Sequence, residues 1–516
     1  MTYVPITRIG AASGLLALVG GMSAIVAAAG PAEAASCMAP VRYAPTTNTI
    51  YLTGGGSFTP SQIVAVCPDA PLSLVDAASK TWLLSADLVL QQGSKLVLRG
   101  SAKKGDINTL RMRSMPSNKA TEVQQLTAGY GMIEIDSVTV TSWNTATNGP
   151  DTDATLPGDA QATDRGRAYI RALSTLASDG RTPQESRMII RNSTINYLGY
   201  FGGEAYGVSY KARGCDRDHV AVCKTLKVSG EQTNSTFDRN YMGTYTWGAK
   251  DMVFRGNTYS NNISYGLDPH DVSTKLTIDK NRFTYNGNHG LICSQLCDKL
   301  TVTNNVSDHN GVRPTDAVGA GDEIERQVHG IMFHRGITNS TISKNTVTDN
   351  TTGAGIAIFD SSKNTISGNK LKNNLYGVRL SVGSASNSIK DNTITDSIQN
   401  AIYTYRGTDV AEYTTASGNP TGNSFKNNTI DGTGSYGIRF TDSDKNTIEG
   451  KSMTRLGAGL LFQRAANNTI KSVKLPAKQP VILNGTATAR TSLTFYGSSS
   501  AISVTADQYS KITYKK

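Results

Sequence analysis

One short phrase recurs through the middle of the chain and limits what the chain can become. It runs polar–apolar–two polar residues–Asn, as in "VFRGN", "TIDKN", "TVTNN", "TISKN", "TISGN", "SIKDN" and "SFKNN", with a looser "TIEGK". Its apolar residue falls at Phe254, Ile278, Val302, Ile342, Ile366, Ile389, Phe425 and Ile448, in steps of 24, 24, 40, 24, 23, 36 and 23. Between these sits a second phrase, residue–Gly–apolar–x–apolar, with glycines at Gly207, Gly243, Gly266, Gly290, Gly330, Gly355, Gly377, Gly437 and Gly459. Two columns sharing a period near 23 mean one coil per repeat. The phrases are short, β-branched and alternating, with no helical spacing. Asn at the turns tolerates left-handed backbone, and stacked amides bond from coil to coil. The fold expected is all-β, a right-handed parallel β-helix. A leucine-rich horseshoe is the competing solenoid, but the Leu spacing it needs is absent. The two long steps place insertions near residues 313–325 and 408–420.

Outside the repeat the chain is less regular. Residues 1–35 read as an export signal: Arg8, then an apolar run, then small residues in "AEAAS" that suit a signal peptidase. A membrane anchor is the alternative, but Gly and Ser interrupt the run. Residues 36–80 are expected to cap the N-terminal end, 81–485 to form the solenoid, and 486–516 to cap the far end, since an open coil exposes a sheet edge. Residues 145–167, rich in Asp, Thr and Gly, read as a long loop. In an oxidising compartment the six cysteines allow three local bridges, Cys37–Cys67, Cys215–Cys223 and Cys293–Cys297. No His accompanies them at zinc spacing, so no metal is expected. The net charge of +11 suits a polyanionic partner, and for an exported protein an acidic polysaccharide fits better than nucleic acid. No later segment is apolar enough to span a bilayer.

Strand alternation sorts the side chains that follow each glycine. One and three places on, they are mostly apolar: Leu291 and Cys293, Ile331 and Phe333, Ile356 and Ile358, Val378 and Leu380. Those are expected in the core. Two and four places on, the outer face carries Ser209 and Lys211, Tyr245 and Trp247, Asp268 and His270, Ile292 and Ser294, Met332 and His334, Arg379 and Ser381, Arg439 and Thr441. Asp268 and His270 therefore share that face, about 7 Å apart along one strand. Pro269 between them points inward and removes one ladder bond. Tyr245 and Trp247 are expected to offer flat faces to sugar rings, and Lys211, Arg379 and Arg439 to hold carboxylates. The fifth place carries polar residues, Asp271, Gln295, Arg335 and Asp360, so the strand is expected to bend there and bring Asp271 and Arg335 toward the cluster. Tyr265 shares its place before the glycine with His289 and His329, which are expected to form a structural stack.

The segment Tyr265–Asp271, "YGLDPHD", resembles the active-site motif of the mannuronan C5-epimerases of alginate synthesis. The likeness extends to "GRAYIRALSTLASDG", "SRMIIRNSTINYLGYFGGEAYGVSY", "MVFRGNTYSNNISYGLDPHD" and "HGLICSQ", over roughly residues 80–400, and is to the periplasmic type within that family. The resemblance implies that His270 removes the C5 proton of mannuronate. It also implies that Asp268 and Asp271 shape and polarise the site, with Tyr265 a further acid/base candidate. Where the family usually carries an arginine that neutralises the substrate carboxylate, this chain has Gln295; Arg335, one coil on, is expected to substitute. The remaining binding candidates are Lys211, Tyr245, Trp247, His334 and Arg379.

Loss of a C5 proton beside a carboxylate builds up negative charge, which a cation relieves. A base with a near-neutral pKa suits the transfer, hence histidine with aspartates orienting the ring. A polysaccharide lyase shares this first step and then expels the C4 oxygen; a non-catalytic polysaccharide-binding β-helix is the non-enzymatic alternative. The expected partner is polymannuronate or a similar uronate polymer. No cofactor is expected, and no Ca²⁺-binding nonapeptide run is present; "GAGDE" at 319–323 stands alone and reads as loop. A monomer, extracellular or periplasmic, is expected.

Overall fold

The structure is a computed structural model describing residues 37–114, 123–155, 166–312, 327–450, 452–475, 479–496 and 503–515. The export signal, the insertion expected at 313–325 with its "GAGDE", and residues 156–165 of the 145–167 loop lie outside these residues. The fold is the parallel β-helix that the repeat indicates. Each central coil contributes three short strands, such as Val253–Arg255, Thr258–Ser260 and Leu267–His270. Each strand pairs in parallel with its counterpart one coil on.

The apolar column of the first phrase is in register along the molecule. Phe254 opposes Ile278, then Val302, Ile342, Ile366, Ile389, Phe425 and Ile448 follow in turn. All eight are buried in one continuous core. The 40- and 36-residue steps leave that register intact, because Val302 opposes Ile342 and Ile389 opposes Phe425 directly.

The corners are held by amide stacks. Asn257 Nδ2 donates to Asn281 Oδ1 at 3.1 Å, and the chain of donation continues through Asn305, Asn345, Asn369, Asn392 and Asn428. A second stack runs from Asn262 through Asn286, Asn310 and Asn350 to Asn374. Each amide is buried and also bonds backbone groups, so the corner that lacks ladder bonds keeps its polar atoms satisfied. This is the physical reason for the recurrent Asn.

Parallel pairing begins earlier than expected. Thr49–Leu52 already pairs in parallel with Asp87–Leu90, and Ser57–Phe58 with Lys95–Leu96, so the ladder enters the 36–80 segment. That segment does carry a helix, Pro60–Val66, opened by a Thr59–Gln62 capping box. At the far end, Ser510–Lys515 still pairs with Thr491–Tyr496. The alternation there is too short and polar to separate a last coil from a cap. The cysteines pair as Cys37–Cys67, Cys215–Cys223 and Cys293–Cys297. Among the described residues no helix is long and apolar enough to cross a membrane.

Candidate active site

The strand Leu267–His270 presents the site. Leu267 and the proline face the core, and Asp268 and His270 the outside. Alternation sets this, and the ladder pairs Leu267 and His270 with Leu291 and Ser294 on either side of Pro269, which has no N–H to give. The strand ends there. In the following coils the chain turns through left-handed backbone at Gln295, Arg335 and Asp360, and in this coil one residue later, at Val272. The bend falls at the expected fifth place in those coils and one residue late in this one, where Asp271 lies beside the imidazole.

His270 Nδ1 lies 3.3 Å from Asp271 Oδ2. The carboxylate at Nδ1 favours a proton there and leaves the Nε2 lone pair for a substrate. The His270 side chain keeps 24% of its surface, so the ring is not sealed inside the coil. Burial disfavours the imidazolium, but the Asp271 contact and the charges of Asp268 and Asp271 outweigh it, and its pKa lies above the ordinary 6.5. Both aspartates are buried. Ser273 Oγ donates to the His270 carbonyl at 2.7 Å and faces Thr246 Oγ1 at 3.0 Å, tying the strand end to the coil before.

The preceding coils form a stacked column behind the imidazole. Lys211 opposes Trp247, and Trp247 opposes His270. The indole stacks on the imidazole at 5.6 Å and 16°, and Lys211 Nζ lies 4.3 Å from the indole centroid. Trp247 Nε1 donates to the Cys215 carbonyl of the disulfide-closed loop. Lys211 pairs with Glu204. Burial, with Arg213 and Arg171 nearby, pulls its ammonium down to about 8 against the opposing charges of Asp271 and Asp216.

Several expectations need correcting. Tyr245 is on the outer face but only 4% exposed, packed among Tyr241, Met242, Ile263 and Ala154, with Tyr206 against it at 5.0 Å. The 151–155 segment crosses this part of the face, so the phenol offers no open plane to a sugar. Trp247 likewise spends its faces on Lys211 and His270. Arg379 is 9% exposed, bonded to Gln327 and 3.3 Å from His329 Nε2, and the structure does not bring it to His270. Ile292 and Met332 project outward yet are buried with Ala357, Phe359 and Tyr376 in an apolar cluster. Arg335 lies two rungs beyond Asp271, with Gln295 between, and pairs with Glu412 at 2.9 Å. His334 packs its ring on Phe359 at 4.7 Å. Gln295 is half-buried and donates its backbone N–H to the His334 carbonyl.

Tyr265 stacks on His289 at 5.6 Å, and His289 on His329 at 5.1 Å. His289 Nδ1 accepts from the His329 backbone and His329 Nδ1 from Ala354, as a structural stack requires. Burial and the nearby Arg379 hold His329 well below the ordinary histidine pKa, so it stays neutral. Four residues at the site were missed in the sequence. Tyr206 lies against Tyr245, and burial and Asp268 raise its pKa; its place before Gly207, matching Tyr265 before Gly266, was the available signal. Glu204, Arg217 and Glu412 arrive on loops whose course no periodicity encodes.

Fold and site together define a β-solenoid with a carboxylate–imidazole–carboxylate group on one outer face. Comparisons with known proteins agree with the solenoid fold. The chain is 28% identical over 202 residues to the mannuronan C5-epimerase of Pseudomonas syringae pv. tomato, covering 37% of this chain and 34% of that protein. It is 34% identical over 145 residues to that of Pseudomonas aeruginosa, 25% of this chain and 26% of that one. The mannuronan C5-epimerase AlgG of Azotobacter vinelandii is 35% identical over 122 residues, 23% of each chain. The resemblance of the chain to this family is thus upheld, although the chain spans only 23% to 34% of the length of these relatives. The crystal structure of the periplasmic alginate epimerase AlgG shares the fold, with a TM-score of 0.60 at 18% identity over 83% of this chain and 85% of that one. A family described as periplasmic copper-binding protein (NosD) matches residues 184–419. All six cysteines are in disulfides, and among the described residues no group of three or more His, Cys, Asp or Glu side chains is arranged to hold a metal ion, so these residues do not suit copper.

Proposed function

We propose that the protein is an exported mannuronan C5-epimerase acting on polymannuronate or an alginate-like uronate polymer. The observation that carries this reading is the His270 imidazole, backed by Asp271, flanked by Asp268 and partly open to solvent. The likeness to curated epimerases supports the choice of reaction.

His270 Nε2 takes the C5 proton, and the electron pair of the broken C–H bond moves into the carboxylate as an enediolate. Asp268 and Asp271 stabilise the imidazolium that forms. A proton then returns to C5 from the opposite face, from Tyr265 or water, and mannuronate becomes guluronate. Lys211, on the column behind the imidazole, supplies positive charge that lowers the cost of the enediolate. Trp247 holds the imidazole plane, and the protein works as a monomer in the periplasm or outside the cell.

Proton NMR of polymannuronate incubated with the mature protein tests this. Guluronate signals are expected with the wild type and none with His270→Ala. Chain shortening with ultraviolet-absorbing unsaturated ends in place of guluronate establishes a lyase. No change in the polymer, with binding retained, establishes a binding protein.

A further inference from the structure

Two loops from distant parts of the sequence meet at the edge of the His270 face. One is closed by Cys215–Cys223 and is held down where Trp247 Nε1 donates to the Cys215 carbonyl. It carries Arg217. The other is the insertion near 408–420. Its backbone is pinned by Asp360, whose carboxylate accepts from the N–H groups of Glu412 at 2.7 Å and Tyr413 at 3.1 Å, and from Thr414 Oγ1 at 2.6 Å. Glu412 Oε1 lies 2.9 Å from Arg335 Nη1, and its other oxygen, Oε2, 3.5 Å from Arg217 Nη1. Arg217 Nη1 also donates to Tyr413 Oη at 3.3 Å, which fixes the guanidinium.

From this geometry we propose that Arg217 and Arg335 form a seat for a uronate carboxylate, and that Glu412 fills it as an internal stand-in which the polymer displaces. The inference rests on the epimerase reading for its ligand class. Two guanidiniums share the Glu412 carboxylate, with Asp218 3.8 Å from Arg217 Nε and Asp360 beside Arg335 as the other acidic groups of the seat. Glu412 is 43% exposed, which leaves its contacts screened by water and weak. Its backbone is held by Asp360 independently of its side chain, so the carboxylate can leave while the loop stays. Arg335 stands two rungs from Asp271, about 10 Å at ordinary strand spacing, within the reach of an adjoining sugar of a chain lying over His270. A bidentate, planar donor suits a sugar carboxylate as well as it suits Glu412.

The test compares wild type, Glu412→Gln and Arg217→Gln for binding and turnover of polymannuronate. Glu412→Gln is expected to lower KM and Kd roughly two- to fivefold, the size of an exposed ion pair, with kcat unchanged. Arg217→Gln is expected to raise both by a similar factor. A carboxyl-reduced polymer is expected to show no difference between wild type and Glu412→Gln, which a mere loosening of the loop would not produce. Unchanged or weaker binding in Glu412→Gln, with thermal unfolding as in the wild type, overturns the seat. If the wild type converts polymannuronate and Glu412→Gln does not tighten, the seat fails alone. If Glu412→Gln tightens binding but no variant makes guluronate, the seat stands and the epimerase reading fails.

Discussion

Replacing Asp271 by Asn changes one atom pair with a calculable consequence. Asp271 Oδ2 lies 3.3 Å from His270 Nδ1, and the carboxylate is among the groups that raise the imidazole pKa above 6.5. Removing an opposite charge at this range lowers a histidine pKa by about one unit or more. The base must be neutral to accept a proton, so wild-type activity falls as pH drops through the raised pKa. In Asp271→Asn that acid limb is expected to move at least about one pH unit lower. One unit below the wild-type limb, the neutral fraction rises from roughly a tenth to about half. The plateau is expected to drop about 10²-fold or more, because the imidazolium loses its partner. The stability change is larger at the acid end of the range. A histidine raised above its unfolded pKa stabilises the fold below about pH 6.5, and this is lost as pH rises through the folded value. Asp271→Asn should therefore lose most relative stability near pH 5.5 and least near pH 8.5. Initial rates of guluronate formation from pH 5 to 9, with thermal unfolding at both ends, give the answer. An acid limb that stays in place or moves upward refutes the assignment of Asp271 as the group that tunes His270.

Other variants probe the frame. Asn305→Ala breaks the first amide stack at its middle: the Asn281 backbone N–H loses its acceptor and the Ile278 carbonyl its amide donor, while Asn345 Oδ1 keeps only the Asn305 N–H. It is expected to cost about 2–4 kcal/mol, seen in denaturant unfolding, with turnover per folded molecule unchanged. Trp247→Ala removes the ring stacked on His270 and the bond to Cys215. A loss of about 2–3 kcal/mol and a broadened pH profile are expected, with Trp247→Phe keeping most of the activity; wild-type turnover in Trp247→Ala would show that the stack does not hold the base.

The solenoid was legible because its signals are periodic. Phe254 to Ile448 repeat as core residues whatever lies between them, and the asparagines mark the corners that need side-chain amides. The outer placement of Asp268 and His270 also followed from alternation alone. What alternation cannot give is cover. It puts Tyr245, Met332 and Arg379 outside, and only the path of segments such as 151–155 and of neighbouring side chains decides that they are buried. The same limit hid Glu204, Arg217 and Glu412, since each is brought by a loop whose length carries no period. The early start of the ladder at Thr49–Leu52 was missed because its first coils lack the Asn phrase.

The central claim is that His270 carries the C5 proton. Epimerisation of polymannuronate in heavy water reads this directly, because every guluronate formed must take its new C5 hydrogen from the solvent pool. The wild type is expected to yield guluronate deuterated at C5, and His270→Ala, folded as judged by thermal unfolding, to yield none. Guluronate formed at the wild-type rate by His270→Ala would contradict the account.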